Sequence, residues 1–73
     1  MKTKKIEEII LPYRENIPLY PSLSIDDKII YAIELMLNHN ARDMAVLRKG
    51  RPIGMVRLKD ALQKLGIQVP LEK

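Results

Sequence analysis

The chain contains no cysteine, no tryptophan and no phenylalanine, and it has one histidine in 73 residues. Without cysteine, disulfides and thiolate metal sites are excluded, and a single histidine makes a protein-only zinc site uncommon. The scarcity of aromatic residues removes the stacking platforms on which single-stranded nucleic-acid binders rely. The sequence also offers no Ser-His-acid set and no glycine-rich phosphate loop, so we expect a protein that is not an enzyme.

Size limits how stable such a chain is alone. A fold of 73 residues buries only about 60% of the surface that its unfolded form exposes. Small folds usually compensate with disulfides, a metal or a partner chain. Because the first two find no support here, we expect a well-packed core of Ile, Leu, Val and Met, together with association with a second copy or with a partner protein.

Charge and hydropathy bear on the compartment and the ligands. No apolar run approaches the roughly 20 residues needed to cross a bilayer, so no membrane is implied. The basic start at residues 1–5 is followed by Glu7 and Glu8, which is not the pattern of a signal peptide, and we expect a cytoplasmic protein. The formal charge of +4 slightly favours anionic partners such as phosphates.

The first third of the chain predicts a short helix, a connector and a strand. The residues at helical spacing are Ile6, Ile9 and Ile10. They predict an amphipathic helix over residues 3–11, ended by Pro12. Three prolines in residues 12–21 predict an extended connector. Residues 22–25 then alternate polar and apolar side chains, which predicts a short strand.

The clearest helix follows this strand. Asp26 and Asp27 predict its N-cap and its first-turn negative charge, and Asn38 or Asn40 predicts a left-handed exit. Its apolar positions form a broad stripe at helical spacing, which predicts the buried face. The stripe consists of Ile29, Ile30, Ile33, Met36 and Leu37.

A hairpin and a second helix complete the pattern. The continuous apolar run at residues 44–47 is typical of a strand that is covered on both faces. Lys49-Gly50 marks a tight turn, after which residues 52–56 resume with β-prone types. A second amphipathic helix runs to Gly66, and residues 67–73 are expected to form a loosely held tail. The apolar positions of this helix are Leu58, Ala61, Leu62 and Leu65.

These elements predict an α+β or α/β fold, built as one domain over residues 1–73. It has a small three-stranded mixed sheet and two main helices, in the order β-α-β-β-α after the short N-terminal helix. The strand-helix-strand order implies a parallel pair, to which the hairpin adds an antiparallel strand. Both main helices must bury their apolar stripes against this sheet.

Four segments stand in order along this pattern. They are Ala-Ile-Glu-Leu-Met at 32–36, Met-Ala-Val-Leu at 44–47, Gly-Met-Val at 54–56 and Asp-Ala-Leu at 60–62. Over about residues 18–66 the ordered set resembles one CBS domain, the cystathionine-β-synthase-type repeat that forms half of a Bateman module. In that family, repeats pair through their sheets and helices, and the clefts between them often bind adenosine-containing ligands.

The resemblance implies a non-catalytic regulatory module that pairs with a second copy. Its implied ligand is AMP, ATP or S-adenosylmethionine, and it has no cofactor or metal of its own. The first two strands would line the base, and the start of the last helix would hold phosphate and ribose, with Asp60 accepting hydrogen bonds from the ribose hydroxyls. The implied ligand-binding residues are Ser24, Met44, Ala45, Val46, Arg57, Lys59 and Asp60.

Two positions depart from the family's pattern. Ala45 stands where the second strand is commonly proline, and Arg57 stands where a Ser or Thr commonly begins the last helix. Arginine offers no acceptor to the first N–H groups of a helix, which weakens the cap by about 1 kcal/mol relative to Ser. Either Arg57 and Lys59 bind a phosphate together with these N–H groups, or Arg57 fills the cleft and excludes the nucleotide. The sequence leaves both open.

Plainer interpretations stand beside these. The helix dipole alone favours an acidic residue such as Asp60 in a first turn, and Arg57 can form a salt bridge with it. Residues 44–46 fit a core as well as a ligand site. The basic cluster at residues 48–51 resembles a nucleic-acid patch in composition, but a solvated turn explains it, so nucleic acid is not expected. The alternative function is a dimerisation or partner-docking domain with no nucleotide bound.

Overall fold

The computed structural model describes residues 4–66, and the expected tail at 67–73 lies outside that range. Its elements, in chain order, are a 3-10 helix at Ile6–Glu8, β1 at Ser22–Ser24, α1 at Ile29–Asn38, β2 at Asp43–Arg48, β3 at Arg51–Arg57 and α2 at Leu58–Lys64. The three strands form a sheet in the order β1-β2-β3, with β1 parallel and β3 antiparallel to β2. The predicted α+β fold, with a mixed three-stranded sheet and a short N-terminal helix, is confirmed.

The central strand, β2, is buried on both faces. Met44 and Val46 pack into the main core with α1 and α2, whereas Ala45 packs on the other side against Ile17 and Met55. Each of the three β2 side chains is no more than 1% exposed. Successive side chains of a strand point to opposite faces, so two separate layers are needed to cover them. The prediction of a strand covered on both faces is confirmed.

One face of α1 supplies much of the main core. Its buried residues are Ile29, Ala32, Ile33 and Met36. The sequence pattern placed Ile30 and Leu37 in the same stripe, but their exposed fractions are 50% and 61%. That expectation was wrong because α1 packs along a narrower face than its apolar pattern covers, and both residues lie beside that face.

The start of α1 also differs from expectation. No side chain caps this helix, and the N–H of Ile29 donates to the Lys4 carbonyl at 2.9 Å. Asp26 and Asp27 were expected to form the cap. Instead, the Asp27 carboxylate accepts a hydrogen bond from the Ser24 N–H at 2.8 Å and closes the turn after β1. A backbone acceptor from a distant segment has replaced the local side-chain cap.

The N-terminal segment is less helical than its isoleucine spacing predicts. Only Ile6–Glu8 is helical, as a 3-10 turn, and Leu11 forms an antiparallel bridge with Met55 of β3. The N–H of Ile6 donates to the Asp27 carbonyl at 3.1 Å. The expected helix over residues 3–11 was therefore wrong in its extent, because tertiary partners take the backbone groups that a longer helix needs.

The connector at residues 12–21 turns back on itself instead of staying extended throughout. The Ile17 N–H donates to the Arg14 carbonyl at 3.1 Å, and the Tyr13 hydroxyl donates to the Ile17 carbonyl at 2.6 Å. This turn places the buried Ile17 against Ala45 on the second face of the sheet. The connector thus supplies the second layer, a role that the sequence pattern did not predict.

The backbone conformation confirms the predicted hairpin turn and the two predicted helix ends. Lys49 and Gly50 form the two-residue turn between β2 and β3, and their φ angles of 53° and 79° are both positive, as a type I′ turn requires. Asn40 after α1 and Gly66 after α2 are also left-handed, with φ angles of 57° and 79°. Both main helices therefore end where the sequence predicts.

A register shift interrupts the hairpin beyond this turn. Leu47 pairs with Pro52, whereas Val46 pairs with Gly54, so Ile53 is an extra residue in β3. A shift of one residue reverses the face that each later side chain of a strand occupies. The bulge therefore decides which residues of β3 reach the core and which stand beside the polar end of β2.

Gly54 lies where the N-terminal segment crosses β3. A Cβ atom at this position would stand 2.5 Å from the Cγ1 and 2.6 Å from the Cδ1 of Ile10, and 2.7 Å from the Leu11 carbonyl oxygen. Two backbone hydrogen bonds between Leu11 and Met55, at 2.8 Å and 2.9 Å, hold the crossing. Only glycine allows the two segments to approach this closely.

Gly54→Ala should therefore lower the free energy of unfolding by about 1–3 kcal/mol, because overpacking a filled site forces the neighbours to move. Urea unfolding measures the change. In an Ile10→Ala background the same substitution should cost less, since the two closest side-chain atoms are gone while the Leu11 carbonyl remains. An equal cost in both backgrounds would contradict a close approach between Gly54 and Ile10.

Candidate functional site

β3 passes into α2 without a connecting loop. Arg57 is both the last residue of β3 and the N-cap residue of α2, and its side chain makes no capping hydrogen bond. The first N–H group of the helix, on Leu58, donates to the Arg42 carbonyl at 2.8 Å. A backbone acceptor from the segment before β2 thus satisfies a donor that Arg57 cannot satisfy.

The Arg57 side chain binds Asp60 in the first turn of α2. Its Nε lies 3.0 Å from Asp60 Oδ2 and its Nη2 lies 3.5 Å from Oδ1, so two N–H groups face the carboxylate. The Arg57 side chain is 44% exposed and that of Asp60 is 20% exposed. The salt bridge is one of the interpretations that the sequence allowed, and it leaves both groups accessible from solvent.

A second carboxylate, that of Asp43, lies across the hairpin from Arg57. The two residues are cross-strand partners, and the Cβ atoms of such partners are typically about 5 Å apart. Asp43 is not among the site residues expected from the sequence, because regular pairing outward from Lys49-Gly50 would place Val56 opposite it. The bulge at Ile53 brings Arg57 there instead, and no local sequence signal indicates the bulge.

We call Asp43, Arg57, Lys59 and Asp60 the α2 corner. Lys59 is exposed in the first turn of α2. Together with Arg42, which precedes Asp43, the corner carries three basic and two acidic side chains. The net charge of these five side chains is therefore +1, which favours an anionic ligand over a cationic one.

Ser24, the β1 residue expected at the ligand, is not brought to the α2 corner. It pairs with Leu47, whereas Arg57 pairs with Asp43, so four residues of β2 separate them. At about 3.3 Å per residue, this distance is roughly 13 Å along the strand. Ser22, which pairs with Ala45, lies nearer. The sequence could not distinguish the two serines, because nothing local fixes the register of a three-residue parallel strand.

The three β2 residues expected to line the base are closed off from solvent. Met44 and Val46 belong to the main core, and Ala45 lies in the second layer beside Ile17 and Met55. In one chain they form a wall and not an open pocket. The structure therefore leaves Arg57, Lys59 and Asp60 accessible to solvent at the start of α2, whereas the side chains of residues 44–46 are buried.

None of the helices within residues 4–66 has the length and hydrophobicity needed to span a bilayer. Over the same range, no three His, Asp or Glu side chains stand together in a way that could hold a metal ion. The convergent charges of the α2 corner include two carboxylates, and one of these is already paired with Arg57.

The sequence matches the family model of the CBS domain over residues 12–67, well over half of the chain. No curated protein and no solved structure matches the chain significantly. The matched span contains the sheet, both main helices and the α2 corner. Domains of this type are generally regulatory and non-catalytic. The chain therefore belongs to the CBS domain family.

Proposed function

We propose that the chain is a regulatory module that pairs with a second copy and binds an adenine nucleotide, or a related adenosyl ligand, in the cleft between the two. CBS domains often bind adenosyl ligands, and the family match supports this assignment. The observation that carries the proposal is the position of Asp60. Its partly exposed carboxylate lies in the first turn of α2, where CBS domains bind ribose. Arg57 and Lys59 lie next to it in the chain and can donate hydrogen bonds to a phosphate.

An exposed apolar face on α1 supports pairing. Ile30 and Leu37 are seven residues apart, so they lie on the same side of the helix, and both are at least half exposed. Tyr31 extends this face. Full burial of one such aliphatic side chain contributes roughly 1.5–3 kcal/mol. A second copy fits the face because a twofold pair presents the same surface from both sides.

Pairing also supplies an apolar wall for the ligand's base. Ligand pockets are typically concave and mostly apolar, with a few polar groups that fix orientation. The α2 corner supplies the polar groups, but the apolar side chains of residues 44–46 are buried. A second chain packed beside the first provides the other wall, and the base binds between the two chains.

A ligand in a shared cleft controls the geometry of the pair. It shifts an equilibrium only by its differential affinity for the two states. A nucleotide that contacts both chains favours the arrangement in which their α2 corners face it. The change in the arrangement of the two chains is then transmitted to the protein that contains the module or binds to it.

A dimerisation or partner-docking domain without a nucleotide is the second candidate. The Arg57–Asp60 salt bridge favours it, because the carboxylate expected to bind ribose already has a partner. Ile17 packed against Ala45 also covers the sheet on the side away from the main core. Nucleotide binding distinguishes the two candidates.

Leu37→Lys should weaken pairing at least about tenfold, because losing the buried contact costs more than about 1.4 kcal/mol. Sedimentation across micromolar concentrations measures the dissociation constant. Leu19→Lys is the matched control, since Leu19 is 45% exposed in the connector, and it should leave pairing unchanged. A wild-type mass that stays monomeric at every concentration contradicts pairing, and equal effects of the two variants contradict the α1 face.

AMP should bind about tenfold or more tightly than 2′,3′-dideoxy-AMP, because hydrogen bonds to a charged acceptor contribute about 1.5–3 kcal/mol. Calorimetric titration of both ligands measures the ratio. In Asp60→Asn the ratio should fall towards one, whereas Asp26→Asn, at an exposed position before α1, should preserve it. Equal affinities of the two ligands for the wild type would sink the role of Asp60, and absence of binding at millimolar AMP would favour the docking domain.

A further inference from the structure

The carboxylate proposed to bind ribose is already engaged. Asp60 accepts Nε–H of Arg57 at 3.0 Å, with a second guanidinium nitrogen at 3.5 Å. A ligand whose hydroxyls bind the lone pairs of Asp60 that face Arg57 must compete with this pair. The cost of that competition depends on what the ligand offers to Arg57 in return.

An uncharged nucleoside offers Arg57 nothing. When its ribose binds Asp60, the guanidinium loses its charged acceptor, and only water replaces that acceptor on a side chain that is 44% exposed. A nucleotide carries a phosphate, whose oxygens accept two parallel N–H groups from a guanidinium as a carboxylate does. Arg57 then exchanges one anionic partner for another, and Asp60 is released to the ribose.

Asp43 and Asp60 make this exchange depend on Arg57 in particular. The Asp60 carboxylate contacts the guanidinium, and Asp43 is the cross-strand neighbour of Arg57 in the sheet. Without the charge of Arg57, a phosphate at this position faces the Asp60 carboxylate with no cation between them, and Asp43 on the neighbouring strand adds a second negative charge to the same end of the sheet. An uncharged nucleoside experiences no such repulsion and gains free access to Asp60.

We infer that Arg57 makes the ligand site selective for phosphorylated adenine ligands, by exchanging Asp60 for the phosphate when the ligand binds. This inference rests on the proposed function and names the ligand class of the same site. It assigns AMP and ATP as ligands, and it excludes adenosine, which carries no anionic group. Arg57 is the specificity-determining residue.

The test is a calorimetric titration of the wild type and of Arg57→Gln with AMP, adenosine and S-adenosylmethionine at physiological salt. The wild type should bind AMP at least tenfold more tightly than adenosine. Arg57→Gln should bind AMP at least tenfold more weakly than the wild type and adenosine as tightly or more tightly, so the preference for AMP falls at least tenfold. Arg57→Lys, which retains the charge without the planar fork, should keep part of the preference for AMP.

Arg51→Gln is the matched control, because it removes the same charge at the opposite end of β3. Six residues separate the two arginines, roughly 20 Å along the strand, which is beyond the screening length at physiological salt. This control should leave the affinity for AMP unchanged. An equal loss in both variants would overturn a local role for Arg57.

The outcomes separate this inference from the function on which it rests. Equal binding of AMP and adenosine to the wild type overturns the selectivity and leaves an adenosyl site standing. Adenosine binding to Arg57→Gln alone, with neither ligand bound by the wild type, overturns the exchange and shows a cleft that Arg57 keeps closed. Failure of all three ligands to bind the wild type and Arg57→Gln overturns both the inference and the proposed function.

Discussion

The fold depends on the close crossing of the N-terminal segment over β3 at Gly54. Two hydrogen bonds join Leu11 to Met55, and the missing side chain of Gly54 makes room for Ile10 and the Leu11 carbonyl. From this crossing the connector returns across the second face of the sheet, where the buried Ile17 covers it. A three-stranded sheet in so short a chain is thus buried on both faces, which is how a chain without disulfides forms a core.

Hydrogen bonds between distant backbone segments also explain how the α2 corner is arranged. Both main helices begin without a side-chain cap, and in each the first N–H group donates to a carbonyl from another segment, that of Lys4 for α1 and that of Arg42 for α2. In α2 this carbonyl satisfies the first of the four N–H groups that lack an acceptor within the helix, although the N-cap position holds no Ser or Thr. Arg57 occupies it, and its side chain is available to bind Asp60 or an anionic ligand.

Sequence patterns predicted the features that local physics determines. The order of elements, the turn at Lys49-Gly50 and the doubly buried β2 follow from periodicity and from the conformations that Gly and Asn tolerate. The features that were missed depend on long-range backbone contacts. Lys4 takes the capping role expected of Asp27, and the bulge at Ile53 places Asp43 beside Arg57. In the site, the sequence indicated Asp60 and allowed its salt bridge with Arg57. It did not predict the distance of Ser24 from these two residues, because that distance depends on strand register.

The most direct test of this account is a titration of isotope-labelled protein with AMP, followed through backbone amide shifts. We expect saturable shifts centred on residues 57–60 and extending to Asp43, because phosphate and ribose replace the salt bridge at the start of α2. Shifts confined to the basic turn at residues 48–51, or no shifts at millimolar AMP, would contradict it.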